Sequence, residues 1–215
     1  MALRWKIAQY VELKWWKNYL KGKEPAQYKA WKIGYWSELM QKINQYLIIS
    51  PGQLILDAGC GPAGIFIYFN NNYNVTAIDP LLDSYSTNVP NFNKKDYPHT
   101  QFINSSIEDY STASQYDFIF CMNAINHVKN YNQAVAKLAA LCKKGGKLIY
   151  TIDAHHYRGL KHLFRILPGD VLHPIQKDLT DYIDSLCLNN CVLVHKEMLK
   201  RDGLFDHYVL ILEKQ

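Results

Sequence analysis

Residues 54–64 read Leu-Ile-Leu-Asp-Ala-Gly-Cys-Gly-Pro-Ala-Gly, and this stretch is the most informative part of the chain. An apolar run ends in Asp57 and turns at once into Gly59, Gly61 and Gly64, which have G-x-G-x-x-G spacing. A buried strand that runs into such a loop is typical of nucleotide-binding α/β domains, because glycine has no Cβ and lets the backbone approach a ligand closely. The sequence therefore predicts a strand followed by a ligand-binding loop.

Outward from this loop, short apolar runs alternate with segments of helical periodicity. The pattern predicts seven strands, at residues 53–58, 74–78, 100–104, 116–122, 147–152, 192–199 and 204–212. It predicts helices at residues 63–69, 131–142 and 176–189. Asp202-Gly203 joins the last two strands and favours a hairpin. The predicted fold class is α/β, with a seven-stranded, mostly parallel, doubly wound sheet that ends in an antiparallel C-terminal hairpin.

The N-terminal part of the chain has a different character. Residues 3–20 and 28–47 have helical periodicity, and a loop around Pro25 separates them. Residues 1–42 hold nine Lys or Arg and three Glu, a net charge of +6, whereas the whole chain carries +5. We therefore predict an N-terminal helical cap over residues 1–48 and a core over residues 49–215.

The bulk composition excludes several classes of protein. The chain has 215 residues, of which 48% are hydrophobic and 20% are charged, as expected of a globular protein with a sizeable core. No apolar run approaches the ~20 residues of a membrane helix, and we expect a cytoplasmic protein. The five cysteines have no C-x-x-C spacing, so neither a disulfide framework nor a metal site is expected.

Two carboxylates frame the glycine loop. Asp57 precedes it, and Asp79 lies 22 residues later at the end of the second predicted strand, where a carboxylate can accept hydrogen bonds from both hydroxyls of a ribose. Pro62 removes one N–H donor at the start of the predicted helix, which makes the loop less suited to a diphosphate. The loop therefore favours a nucleoside ligand held by close packing and a few hydrogen bonds.

With these motifs the chain resembles the class I S-adenosylmethionine-dependent methyltransferases over roughly residues 50–215. The matching segments occur in the family's order, at Leu56–Pro62, Ala77–Pro80, Asn104–Tyr110, Tyr116–Asn123 and Lys143–Leu148. The resemblance implies a Rossmann-like methyltransferase core and S-adenosylmethionine as cofactor, with S-adenosylhomocysteine as product.

The resemblance also implies roles for individual residues. Asp57 and the backbone of the loop would hold the methionine end of the cofactor, Asp79 would bind the ribose, and Pro80 would pack near the adenine. Many relatives carry Asp where Ser106 stands, and a serine accepts more weakly from the adenine amino group. The implied cofactor residues are Asp57, Ala58, Gly59, Cys60, Gly61, Asp79, Pro80, Ser106, Ile107, Glu108, Met122 and Asn123.

The acceptor half of the site is less clearly marked. His127 follows the fourth predicted strand and is the candidate general base, although a hydrogen-bonded histidine at a helix start fits the same position. Residues 153–175 form a predicted insert that could fold over the substrate, and the aromatic cap could line it or simply pack on the sheet edge. The candidate substrate residues are Tyr28, Trp31, Tyr35, Asn126, His155 and His156.

These observations predict methyl transfer to a small-molecule acceptor. An RNA methyltransferase that uses the basic N-terminal segment is the first alternative, although residues 121–126 lack the Asn-Pro-Pro-Tyr element usual in methylases of DNA base amino groups. A non-catalytic partner protein that binds the cofactor is the second alternative, and an NAD-dependent oxidoreductase is a distant third. The sequence determines neither the methylated element nor the oligomeric state.

Overall fold

The computed structural model describes residues 2–157 and 177–215. Seven strands form a single sheet: β1 Leu54–Ala58, β2 Asn74–Asp79, β3 Thr100–Asn104, β4 Tyr116–Met122, β5 Cys142–His155, β6 Cys191–Arg201 and β7 Phe205–Lys214. Their order is β3-β2-β1-β4-β5-β7-β6. Strands β1 to β5 are parallel, and β7 pairs antiparallel with both β5 and β6. The predicted α/β fold class with its antiparallel C-terminal hairpin is confirmed.

The register of the sheet explains where a ligand can bind. Asp57 pairs with Ala77 and Asp79 with Asn104, so the carboxyl ends of β1, β2 and β3 lie along one edge. The chain reverses direction in sheet order at β1, since β2 and β3 lie on one side of it and β4 on the other. Ligands of open α/β sheets bind at such a switch point, beyond the carboxyl ends of the strands.

In the described part of the chain, five α-helices accompany the sheet: α1 Ala2–Leu20, α2 Pro25–Ile43, α3 Leu82–Asn88, α4 Tyr131–Leu141 and α5 Leu179–Cys187. The two predicted N-terminal helices are confirmed. Helix α2 begins three residues earlier than predicted, because the Glu24 carboxylate accepts from the N–H groups of Ala26 and Gln27 and Pro25 occupies the first turn.

The helix predicted at residues 63–69 is wrong. Among the described residues this segment contains only a 3₁₀ turn at Ile65–Ile67. The Phe66 N–H donates to Asp57 Oδ2 at 3.0 Å, so the side chain before the loop helps to fix the backbone of this turn. All three residues of the turn are also buried, which leaves no polar face for a surface helix.

Strand β5 is longer than the predicted 147–152. Its first residues include Lys143 to Gly146, which the sequence assigned to a helix stop, and Lys143 Nζ contacts Asp117 Oδ1 at 2.8 Å. Its last residues, Asp153 to His155, extend past the sheet's ligand-binding edge. Residues 158–175 of the predicted insert lie outside the part of the chain that the structure describes.

The hydrophobic core has two layers, one on each face of the sheet. One layer contains Trp36, Met40 and Ile43 of α2 together with Ile55 of β1. The other layer contains the buried faces of α4 and α5. The cap helices therefore share a core with the sheet, while the division at residue 48 stays a prediction. In the described ranges, no helix has the length and apolar character needed to cross a membrane.

Candidate active site

A cavity of about 440 Å³ lies beyond the carboxyl ends of β1, β2, β4 and β5. Its volume is in the range of small-molecule sites. Helices α1 and α2 cover it from the side opposite the strands, and the loops after the strands form its floor. The residues that line it are Trp5, Gln9, Glu12, Trp15, Trp16, Lys32, Tyr35, Trp36, Asp57, Gly59, Cys60, Gly61, Ala63, Gly64, Asp79, Pro80, Ser106, Ile107, Glu108, Met122, Asn123, Ala124, His127, Val128, Thr151 and Asp153.

The glycine loop has a backbone that only glycine adopts easily. Gly59 and Gly61 have φ angles of 73° and 55°. A Cβ on Gly59 would overlap the Cβ of Ala124, and a Cβ on Gly61 would lie 3.6 Å from Trp16 Cζ2. The N–H groups of Gly59 and Cys60 both donate to the carbonyl of Ile78, at 2.8 and 3.0 Å. The loop is therefore a narrow cradle tied to β2.

Asp57 is a fully buried carboxylate with one oxygen still available. Its Oδ2 accepts from Phe66 N–H, whereas Oδ1 has no hydrogen-bond partner in the part of the chain that the structure describes. Burial raises the pKa of Asp57 to about 7. The hydrogen bond from Phe66 N–H lowers this pKa, and the negative charge of Asp79 raises it. A buried acceptor of this kind fits a ligand that brings a donor or a positive charge.

Asp79 fastens the glycine loop to the end of β2. Its Oδ2 accepts from Gly61 N–H at 3.0 Å, and its Oδ1 accepts from Leu81 N–H at 2.8 Å. Burial raises the pKa of this carboxyl, and the same two N–H donors oppose the rise. Two carboxylates thus face one cavity, which favours a ligand with cationic and hydroxyl groups over a phosphate.

The segment after β3 contributes a third side of the cavity. Ser106 Oγ donates to Asp109 Oδ2 at 2.8 Å and accepts from Asp109 N–H at 3.2 Å, so its hydroxyl is used in a local turn. Glu108 is buried, and its Oε1 accepts from Asn130 N–H at 2.8 Å just before α4. Ile107 lies between them and also lines the cavity.

The segment after β4 is held by a hydrogen-bond chain that is buried at its Tyr182 end. Asn123 has a φ angle of 51°, a left-handed conformation that asparagine tolerates better than most residues. Asn126 Nδ2 donates to Asn123 Oδ1 at 3.4 Å, and the hydroxyl of Tyr182 donates to Asn126 Oδ1 at 2.8 Å. Asn126 therefore positions the cavity floor from behind, while His127 lines the cavity itself.

The wall that α1 and α2 contribute to the cavity is largely aromatic. Trp16 of α1 lies against Gly61, and Trp36 Nε1 of α2 donates to the carbonyl of Ala63 at 3.2 Å. The rings of Tyr35 and Trp36 contact edge to face, with centroids 4.8 Å apart. Both cap helices thus contact the glycine loop directly.

Most of the predicted site residues converge. Among the predicted cofactor residues all except Ala58 line the cavity, and Ala58 is buried beneath the loop. His127 and Tyr35 also line it. The other candidate substrate residues do not: Tyr28 packs against Trp31, His155 packs against Phe205, and His156 Nδ1 contacts Asp206 Oδ2 at 2.9 Å.

Several lining residues were missing from the sequence prediction. Lys32 is the clearest case on the cap, and its spacing of three and four to Tyr35 and Trp36 indicates a shared helix face. Asp153 is the clearest case on the sheet, where it extends β5 past the predicted end and contacts His207 Nδ1. Trp5, Gln9 and Glu12 line the cavity because of where α1 lies, which no local signal indicates.

Comparisons with known proteins agree with this geometry. The family described as "Methyltransferase domain" matches residues 28–185. The chain is 33% identical over 117 residues to the Ubiquinone biosynthesis O-methyltransferase of Rickettsia bellii (strain OSU 85-389), which is 54% of this chain and 48% of that protein. The chain spans about half the length of the curated relatives it matches.

Two solved structures have a similar fold. The N-methyltransferase NodS from Bradyrhizobium japonicum WM9, in complex with S-adenosyl-L-homocysteine, has a TM-score of 0.62 at 15% identity, over 84% of this chain and 86% of that chain. An S-adenosylmethionine-dependent methyltransferase from Clostridium acetobutylicum ATCC 824 has a TM-score of 0.63 at 12% identity, over 83% of this chain and 90% of that chain. At such identities the likeness concerns the fold.

Proposed function

The chain belongs to the methyltransferase domain family and carries an S-adenosylmethionine-dependent methyltransferase domain, and we propose that the protein methylates a hydroxyl oxygen of a small-molecule acceptor. The observation that carries the proposal is the shared cavity, in which buried carboxylates face an aromatic wall. The name of the Rickettsia bellii relative, an O-methyltransferase, supports oxygen as the methylated element.

The residues present fit the cofactor. Asp57 offers a buried oxygen without a partner among the described residues, which suits the cationic amino group of the methionine end. We assign the ribose to Asp79, the neighbourhood of the adenine to Pro80, Ser106, Ile107 and Glu108, and the place beneath the sulfonium to Met122 and Asn123. When bound, S-adenosylmethionine supplies an electrophilic methyl group.

The protein's own contribution is to position the acceptor and to exclude water. The acceptor oxygen must stand in line with the methyl carbon, and orientation of this kind can supply much of the rate. Trp16 and Trp36 close the cavity from the cap side. We assign to His127 the removal of the hydroxyl proton, because it lines the cavity next to the floor formed by Asn123.

Calorimetry with S-adenosylhomocysteine tests the cofactor assignment. We expect binding to the wild-type protein, and binding of adenosine at least about tenfold weaker, because adenosine has no amino-acid end for Asp57 to bind. Absence of any S-adenosylhomocysteine binding would contradict the proposed function. Equal affinity for both ligands would contradict only the assignment of the amino-acid end to Asp57 and would leave the proposed function standing.

A small acceptor is favoured over RNA by the position of the cap. The basic N-terminal segment would suit a nucleic acid, but Trp5, Trp16 and Trp36 of this segment line the cavity instead of a groove that follows a polynucleotide. Titration with a 20-nucleotide single-stranded RNA at several salt concentrations separates the two. We expect weak binding with a shallow salt dependence, whereas tight binding with a steep slope would favour the RNA alternative.

A further inference from the structure

Lys32 is a cation on the cap side of the cavity that the proposed reaction does not use. It lies on α2 and lines the cavity together with Tyr35 and Trp36 of the same helix. Its Nζ lies 4.6 Å from the ring centroid of Tyr35, 4.8 Å from that of Trp36 and 5.4 Å from that of Trp31. The ammonium is therefore held in one place by three aromatic faces.

No carboxylate compensates this charge within residues 2–157 and 177–215. The ion pairs of that part of the chain include Lys42, Lys94, Lys143, Lys147 and Lys200 but not Lys32. Burial lowers the pKa of Lys32 to about 8, so the protein pays for keeping a proton on this amine at neutral pH. A desolvated cation of this kind in a cavity gains most from an anion supplied by a ligand.

We propose that Lys32 binds an anionic group of the methyl acceptor and thereby selects planar aromatic acids as substrates. This inference rests on the proposed function, because the acceptor and the cofactor share one cavity. Aromatic character is indicated by Trp5, Trp16, Tyr35 and Trp36, whose rings line the same space. Carboxylate character is indicated by the Lys32 ammonium among them.

Charge at the carboxyl end of β5 bears on the orientation of such an acceptor. Asp153 lines the cavity and is paired with His207. Burial raises the pKa of Tyr35, and the negative charge of Asp153 raises it further. A carboxylate is repelled by Asp153 and attracted by Lys32. The acid group of the acceptor is therefore directed toward α2, and its hydroxyl toward the carboxyl ends of the strands.

A matched pair of probes tests this inference. The probes are 3-(4-hydroxyphenyl)propionate and its amide, which differ only in the charge of one group. Binding of each is measured by calorimetry, with and without saturating S-adenosylhomocysteine. We expect the wild-type protein to bind the acid at least about tenfold tighter than the amide, as for a charge-assisted contact. In Lys32→Gln we expect the preference to vanish through weaker binding of the acid, with unchanged binding of the amide.

Two variants serve as controls. Lys32→Arg keeps the charge and should keep the preference. Lys29→Gln removes a lysine one turn earlier on α2, whose Nζ lies 4.4 Å from the Tyr97 ring and outside the cavity, and should also keep the preference. Binding of S-adenosylhomocysteine should be the same in all variants.

The outcomes separate this inference from the proposed function. Equal affinity of the wild-type protein for acid and amide, binding of neither probe, or a preference that persists in Lys32→Gln would overturn the role of Lys32. Absence of S-adenosylhomocysteine binding by the wild-type protein, with a Lys32-dependent preference for the acid intact, would instead contradict the proposed function and leave Lys32 as an anion-binding residue of the cavity.

Discussion

The two walls of the cavity are built in different ways. The loop wall consists of Asp57, Gly59 to Gly61 and Asp79, and backbone conformation and backbone hydrogen bonds hold it in place. The helix wall consists of Trp5, Trp16, Lys32, Tyr35 and Trp36, which are side chains on two helices. The loop wall has little freedom to vary, whereas the helix wall can change its chemistry by substitution. This difference explains how one fold can keep its methyl donor while the acceptor changes.

Gly59→Ala should have the largest effect, because it breaks the loop wall at its narrowest point. The new Cβ overlaps that of Ala124, and the φ angle of 73° is unfavourable for alanine. We expect a loss of about 3 kcal/mol in the free energy of unfolding, measured by urea denaturation, together with loss of S-adenosylhomocysteine binding.

Two further variants identify the cause. Gly22→Ala is the matched control, since Gly22 has a φ angle of 76° and no atom near its Cβ position, and it should cost only about 1 kcal/mol. Adding Ala124→Gly to Gly59→Ala should restore part of the stability. An equal cost for Gly22→Ala and Gly59→Ala would show that the contact with Ala124 does not matter.

Asp79→Ala removes the carboxylate that fastens the loop wall to β2. The N–H groups of Gly61 and Leu81 lose their acceptor, and the assigned ribose contact is lost as well. We expect S-adenosylhomocysteine affinity to fall by about 100-fold in calorimetry. Asp83→Ala, which removes an exposed carboxylate on the next helix, should leave the affinity unchanged. Unchanged affinity in Asp79→Ala would show that the ribose assignment is wrong.

Asp57→Asn should change how stability depends on pH. Burial raises the pKa of Asp57 in the folded state to about 7, above its ordinary value of 3.8. Between these values the folded protein holds a proton that the unfolded chain releases, so stability is lost as the pH rises through this range. Asparagine cannot titrate, and we expect the stability of the variant to rise by about 3 kcal/mol relative to that of the wild type between pH 4 and pH 7.

Urea denaturation of ligand-free protein at several pH values measures this difference. The same variant should bind S-adenosylhomocysteine more weakly, because the ligand's cationic amino group loses its buried anion. A variant with the pH dependence of the wild type would show that Asp57 is already ionised in the ligand-free protein. The expected result would mean that the loop wall keeps a buried carboxylate that lowers the stability of the ligand-free protein and strengthens cofactor binding.

Trp36→Phe should have the smallest effect, because it removes only one hydrogen bond between the helix wall and the loop that follows Gly61. The substitution keeps an aromatic ring, although a smaller one, and removes the hydrogen bond from Nε1 to the carbonyl of Ala63. We expect a loss of about 1 kcal/mol in the free energy of unfolding, with S-adenosylhomocysteine affinity within about twofold of the wild type. Trp31→Phe, at a half-exposed ring, should change stability by less than about 0.5 kcal/mol. A larger loss of cofactor affinity than of stability would show that the helix wall also holds the donor.

The loop wall could be predicted almost completely from the sequence. Gly59 and Gly61 mark positive φ angles that other residues rarely adopt, and Asp57 and Asp79 mark strand ends. Such signals are local, because the conformation of a turn is set by its own residues. The prediction failed at residues 63–69, where the buried residues Ile65 to Ile67 form only a 3₁₀ turn and the Phe66 N–H donates to Asp57, nine residues earlier.

The helix wall was only partly predictable. The sequence showed that the cap is helical and aromatic, yet of Tyr28, Trp31 and Tyr35 only Tyr35 lines the cavity. Which face of α2 points inward depends on how Trp36, Met40 and Ile43 pack on the sheet, and this is a property of the whole core.

Local patterns in the sequence were thus sufficient to predict the fold class, the glycine loop and the carboxylates around it, because periodicity and turns depend on residues close together in the chain. Only the tertiary structure decided that Lys32 and Asp153, more than a hundred residues apart, line one cavity. The packing of α1 and α2 against one face of the sheet brings these side chains to the same cavity, and no short stretch of sequence encodes that packing.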